Sequence, residues 1–290
     1  MCRLFAMSGG REPVHATFWL LEAPDSLSEQ SRREPDGTGL GYFDGDGRPV
    51  VSKQAVAAFK DREFAREAKA VSSRCFVAHV RYASTGGLSE RNTHPFEQDG
   101  RLFAHNGVVE GLEALEAELG DAMSLVAGDT DSERLFALVT RETRRTGDVG
   151  EGIVAAAQWV AANLPLFAIN LVLITPDELW ALRYPDSHDL LVLERDAGGP
   201  AGHAHLAHAS PRGRIRVHSA DLAQQRAVVV ATERMDDDPA WVPLGSGELL
   251  HVDADLSVTR RQVLDGPPAH PLTLQDLGAK AAASQGTETR

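Results

Sequence analysis

The second residue is a cysteine, and loss of the initiator methionine would leave its thiol and a free α-amino group on one residue. An α-amino group titrates at roughly 7.7–8.0 and a thiol at about 8.5, so near neutral pH the amine can take the sulfur's proton, directly or through one water. Cys2 then carries its own base. Three polar clusters follow: His79-Val80-Arg81-Tyr82-Ala83-Ser84, then Asn92-Thr93-His94-Pro95-Phe96 with His105-Asn106-Gly107, then Gly128-Asp129-Thr130-Asp131-Ser132-Glu133. Singly, each has a mundane explanation: Arg81 as a surface ion-pair member, His94 as a loop residue, Asn106-Gly107 as a turn, Asp131 as a helix cap. Together with Cys2 they describe a pocket for an amide whose other end is an amino acid. Thiolate attack on an amide makes an oxyanion, which needs fixed donors in a dry site. The Asn106 side-chain amide and the Gly107 backbone N–H would supply two, and glycine lets the main chain come close. An α-amino acid head needs a cation for its carboxylate and an anion for its ammonium. Arg81 offers a planar bidentate fork for the first, and Asp131, at a helix start, the charge for the second. Glutamine is the simplest molecule with both features.

The elements that must position these groups are legible in outline. Cys2 to Ser8 has strand-like content and ends at Gly9-Gly10, so the nucleophile should begin a strand. Gly39–Phe43 and Arg48–Lys53 flank the turn Asp44-Gly45-Asp46-Gly47 and read as a hairpin; those aspartates lack the spacing of a calcium loop. Asp61–Val71 has helical composition. Arg74–Arg81 reads as a buried strand, with Phe76, Ala78 and Val80 on one face and Cys75 a packed small hydrophobe. Arg101–His105 is another strand, expected to end in a turn at Asn106-Gly107. Leu112–Leu119, Ser132–Arg144 and Gly152–Leu164 are helical, the second capped from Asp129-Thr130-Asp131-Ser132. From Phe167 the pattern changes to strands at Phe167–Ile174, Glu178–Tyr184, Leu190–Glu194, Arg214–His218, Ala227–Ala231, Glu248–Val252 and Ser257–Gln262. Strands, then helices, then strands suggest stacked sheets with helices outside. The tail from Gly266 reads as an extension with a short helix and a disordered polar end.

Composition narrows the function classes. The 290 residues, 42 % of them apolar, can build an extensive core, and a net charge of −13 argues against nucleic acid or an anionic membrane as partner. Two cysteines without a CxxC pair exclude a disulfide framework and a cysteine-rich zinc site, which fits a reducing cytoplasm. One Arg3 before the short stretch Leu4–Ser8 makes no secretory signal, and the longest apolar run, Phe167–Ile174, is interrupted by Asn170 and too short to span a bilayer. The irregular cluster His203, His205, His208, without acidic neighbours, reads as a solvated loop rather than a metal site.

In order and approximate spacing, Cys2, Arg81-Tyr82-Ala83-Ser84, Asn92-Thr93-His94-Pro95-Phe96, His105-Asn106-Gly107 and Thr130-Asp131-Ser132-Glu133 resemble the class II glutamine amidotransferases, N-terminal-nucleophile enzymes whose glutaminase domain begins with cysteine. The resemblance covers about residues 2–265 and leaves 266–290 as a C-terminal extension. It implies an α+β fold of four layers, αββα, with two antiparallel sheets between helices. It also implies Cys2 as nucleophile with its own amine as base, Asn106 and Gly107 as oxyanion hole, Arg81 and Asp131 holding the glutamyl head, and Ser84 and His94 lining the pocket. Neither metal nor organic cofactor is implied for the amidase step. The expected substrate is a small γ-glutamyl molecule, with a separate ammonia-accepting synthase as a conceivable partner. A second reading is the similar γ-glutamyl hydrolase of ergothioneine biosynthesis, suggested by Asp236-Asp237-Asp238-Pro239-Ala240-Trp241 after Ala231-Thr232-Glu233. A third, an inactive scaffold on the same fold, would need none of Cys2, Arg81, Asn106, Gly107 and Asp131.

Overall fold

The structure is a computed structural model describing residues 2–81, 87, 89–197, 207–209, 216–218 and 226–285. Alternation along the Arg3–Ser8 strand sets the architecture. Leu4 and Ala6 point to one side and Phe5 and Met7 to the other, and all four are buried, so this strand must be covered on both faces. It lies at the centre of a seven-stranded sheet, ordered Val242–Pro243, Leu191–Arg195, Ala227–Ala231, Arg3–Ser8, Cys75–Arg81, Gly37–Phe43, Pro49–Gln54, with every neighbouring pair antiparallel. The second sheet runs Val258–Gln262, Glu248–Val252, Leu179–Arg183, Pro165–Ile174, Arg101–Val109, Phe96–Gln98. These pairs are antiparallel too, and His270–Pro271 adds one short parallel strand beside Pro165–Leu166.

Three apolar layers hold the sheets. Phe5, Met7, Phe76 and Val229 face outward beneath the short helical turns Phe18–Glu22 and Leu27–Gln30 and the helix Arg62–Ala70, sharing a core with Trp19, Phe64 and Trp241. Leu4, Ala6, Cys75 and Val77 face inward against Leu102, Ala104, Val172 and Ala181 of the second sheet. The far face of that sheet, with Phe103, Leu171 and Leu182, packs beneath the helices Leu112–Leu119, Asp131–Thr146 and Val149–Asn163. The result is the four-layer αββα sandwich with two antiparallel sheets. Among the described residues, no helix is long and apolar enough to cross a membrane.

Most expected elements form within a residue or two of their predicted bounds. The hairpin pairs Phe43 with Pro49, and Asp44 Oδ1 accepts from the Asp46 and Arg48 amides to close its turn. One expectation needs correction. Asn106-Gly107 is not a turn: the strand runs unbroken from Arg101 to Val109, with Asn106 opposite Asn170 and Gly107 opposite Ile169. Local Asn-Gly turn preference yields to pairing across the sheet. Glycine is needed here for space, since a Cβ on Gly107 would sit 1.9 Å from the Ala168 carbonyl oxygen. The tail carries the expected short helix. Residues 267–285 lie along the second sheet and end in the helix Ala279–Gln285, while 286–290 fall outside the described residues. His203 and His205 fall outside them as well; Ala207–Ala209, which contains His208, pairs with Arg216–His218 rather than forming a loop.

The Gly107 contact predicts a stability effect. Gly107→Ala presses a methyl group into backbone that cannot rotate away, at a cost of about 1–3 kcal/mol or more, or a fall in melting temperature of several degrees. Gly45, with nothing near its absent Cβ, is the control, and Gly45→Ala should melt with the parent. Equal melting of both variants in a thermal scan would contradict the steric account.

Candidate active site

Cys2 sits just before the central strand of the first sheet. The register Arg3↔Val80 brings the adjoining chain position, Arg81, beside it. Arg101–Val109 in the facing sheet delivers Asn106, whose Nδ2 donates to the Cys2 carbonyl at 3.1 Å. Residues 104 positions apart thus meet where the two sheets stack, and both are buried, Cys2 at 8 % exposure and Asn106 at 1 %. One N–H of the Asn106 amide serves Cys2, leaving the second for a ligand oxygen.

Asp131 arrives from a third direction. It opens the helix Asp131–Thr146, whose N-cap Thr130 accepts from the Glu133 amide at 3.2 Å. Its Oδ2 accepts from the Val109 amide at 3.0 Å, which ties the helix start to the strand bearing Asn106 and Gly107. The helix dipole favours a carboxylate there. Glu133 reaches back to the Ala127 and Gly128 amides at 3.1 and 2.6 Å, and Asn92 exchanges two hydrogen bonds with Asp129. The loop before the helix is therefore pinned from both sides. Arg81 is 4 % exposed and donates to the Gly87 carbonyl at 3.2 Å. Burial draws its guanidinium below the ordinary value, opposed by the nearby Cys2, Asp36 and Asp131.

Cys2, Arg81, His94, Asn106, Gly107 and Asp131, six of the seven residues singled out from sequence, line one cavity of about 20 Å3. That is room for roughly one water. The seventh, Ser84, lies outside the described residues. His94 is carried on a loop resting directly on the first sheet: a Cβ on Gly39 would lie 1.9 Å from the His94 carbonyl oxygen, so only glycine lets the loop settle there. His79, Asn92, His105, Thr130 and Ser132, which stand in the same polar clusters, also line the cavity, each without a duty evident from sequence. Gln285 lines it too, and nothing in the composition of the tail signals that. Among the described residues, no three His, Cys, Asp or Glu side chains converge to hold a metal ion.

Three imidazoles are buried in this region, and burial disfavours the charged form of each. Burial first, then the neighbouring Arg81 and His105, push His79 down to about 3. His94, ring centroid 4.3 Å from that of His79, is held well below its usual range by burial and by the same neighbours. Burial also lowers His105, against the pull of Asp131; its ring nitrogens lie 2.9 Å from Ser132 Oγ and 3.2 Å from the Ala168 carbonyl oxygen. Arg81 and Asp131 bring a guanidinium and a carboxylate to the same cavity.

Neutral buried histidines make the fold acid-sensitive. His79 at about 3 and His188 at about 4 both lie below the unfolded value of 6.5. Below pH 6.5 the unfolded chain therefore binds protons that the folded chain refuses, and stability falls as pH drops from 6.5 towards 4. Each of the two contributes up to about 1.4 kcal/mol per pH unit in that window. Urea midpoints should drop steadily from pH 7 to pH 5 and drop less in His79→Leu. A pH-independent midpoint over that range would contradict the neutral burial.

A sequence model described as glutamine amidotransferases class-II matches residues 1–266. The chain belongs to this family. Among curated relatives of this class II amidotransferase, the probable glutamine amidotransferase DUG3 of Saccharomyces cerevisiae is 30 % identical over 159 residues, covering 48 % of this chain and 44 % of its own. A glutamine–fructose-6-phosphate aminotransferase of Pseudomonas syringae is 28 % identical over 160 residues, 55 % of this chain and 26 % of its own. The chain thus spans less than half the length of these two relatives. Among solved structures, a glutamine aminotransferase class-II domain protein from Silicibacter pomeroyi superposes with a TM-score of 0.59 at 22 % identity, covering 91 % of this chain and all of that one. A glutamine phosphoribosylpyrophosphate amidotransferase from B. subtilis gives 0.62 at 19 % identity, over 92 % of this chain and 50 % of that one. At these identities the superpositions speak for the fold, which is shared.

Proposed function

We propose that this family member hydrolyses the γ-amide of free glutamine through a γ-glutamyl thioester on Cys2. The single observation that carries the reading is one cavity gathering a thiol, an amide donor, a guanidinium and a carboxylate. After Met1 is removed, the Cys2 amine takes the thiol proton and Sγ adds to the γ-carbonyl carbon. The carbonyl oxygen becomes an oxyanion, met by the second N–H of Asn106 and by the Gly107 N–H. Collapse breaks the C–N bond, and the proton held by the Cys2 amine goes to the departing ammonia. The same amine then deprotonates a water that attacks the thioester, the C–S bond breaks, the thiolate regains its proton, and glutamate leaves. Arg81 pairs with the α-carboxylate and Asp131 with the α-ammonium throughout.

The charge pairing predicts what the enzyme rejects. N-acetylglutamine has no ammonium to offer Asp131, and glutamine methyl ester has no carboxylate to offer Arg81. Each should lose about 10²-fold or more in kcat/KM relative to glutamine. Glutamate release measured for the three compounds checks this, and comparable rates would remove the zwitterion grip from the account.

A further inference from the structure

The tail beyond residue 266 lies outside the family match yet runs to the cavity itself. Its path is fixed at several points. The Ala269 amide donates to the Ala161 carbonyl at 2.8 Å, His270–Pro271 pairs with Pro165–Leu166, and the Leu272 amide donates to the Leu166 carbonyl at 2.9 Å. Leu277 is buried with Val108, Phe167 and Ala168, and Ala281 and Ala282 pack on the same cluster. Val108 follows Gly107 directly and Ala168 overlies it, so the closing helix sits on the backbone of the oxyanion strand. That helix ends at Gln285, which is 1 % exposed, with Oε1 2.7 Å from His188 Nε2. His188 is a firm anchor: its carbonyl accepts from Arg183 Nε at 2.7 Å and Asn170 Nδ2 at 3.2 Å, and its ring meets Phe167 edge-on at 5.0 Å.

A primary amide on the chain's own C-terminal helix thus lines the same cavity as Cys2. We infer that the helix Ala279–Gln285 is a reversible plug of the active site, an intramolecular ligand whose Gln285 amide stands where substrate must enter. This rests on the glutamine reading above and adds that binding is competitive with the tail. The attachment suits release. A helix of seven residues has little stability of its own, and among the described residues its apolar contacts are Ala281 and Ala282, with Leu272 and Leu277 holding the segment before it. Only open molecules bind substrate, so apparent KM rises by the inverse of the open fraction; a plug closed nine-tenths of the time raises it about tenfold.

The test uses the full chain and two variants outside the catalytic set: Gln285→Ala, which removes the amide, and Ala282→Glu, which places a charge on the docking face. Both should lower the KM for glutamine, Ala282→Glu by up to about tenfold, with kcat little changed. In the unaltered chain, acylating Cys2 with a glutamine-mimicking chloroketone should speed hydrogen exchange at amides 279–285. A KM unchanged or raised in both variants, or amides 279–285 still protected after acylation, would overturn the plug while leaving the amidase intact. Absence of glutamate release and of Cys2 labelling in all three proteins would instead overturn the glutamine reading, and the plug with it.

Discussion

Cys2→Ala is expected to abolish glutamate release, with kcat/KM falling on the order of 10⁴-fold or more, because the proposed thioester forms on the Cys2 sulfur. Cys75 cannot substitute. It is fully buried between the sheets, and burial raises its thiol to about 12, so it stays protonated and out of reach. The variant should still bind glutamine, since Arg81 and Asp131 keep their places. Calorimetry should find a dissociation constant within about threefold of that of the parent. Activity within tenfold of the parent would assign the nucleophile elsewhere.

Asn106→Ala should cost about 10²–10³-fold in kcat with little change in KM, the range for losing one preorganised oxyanion donor. Two losses combine here. The amide that would face the oxyanion also holds the Cys2 carbonyl at 3.1 Å, so its removal frees the Cys2 backbone as well as taking away the proposed donor. Asn106→Asp keeps the shape but replaces donors with acceptors, and should fall at least as far. Steady-state kinetics separate the alternatives: a rise in KM with kcat preserved would make Asn106 a ground-state contact.

The fold was legible in the sequence to the extent that period-2 strands and capped helices declare themselves locally. Ala227–Ala231 and Glu248–Val252 have the predicted bounds, and Thr130 caps the helix opened by Asp131 as its composition implies. Local reasoning failed where a partner strand decides. Asn106-Gly107 carries a turn signature, yet Asn170 and Ile169 opposite it extend the strand, and glycine answers to the Ala168 carbonyl rather than to a turn. The candidate groups were legible by type, because an amide substrate with a zwitterionic head calls for a nucleophile, donors and two opposite charges. Their meeting was not. Cys2 and Arg81 become neighbours only through the Arg3↔Val80 register, and Asn106 reaches them only when the second sheet stacks on the first. Gln285 was invisible, because what brings it to the cavity is the docking of Leu277 on Val108 and Phe167, and no spacing within the tail encodes that contact.

The most direct test of the central claim is peptide mapping by mass spectrometry after treating the purified protein with a glutamine-mimicking chloroketone. The expected map shows an N-terminal peptide beginning at Cys2, with Met1 gone and a single adduct on that sulfur, suppressed by excess glutamine. An N-terminal peptide that keeps Met1, or an adduct on Cys75 or on no cysteine, would contradict it.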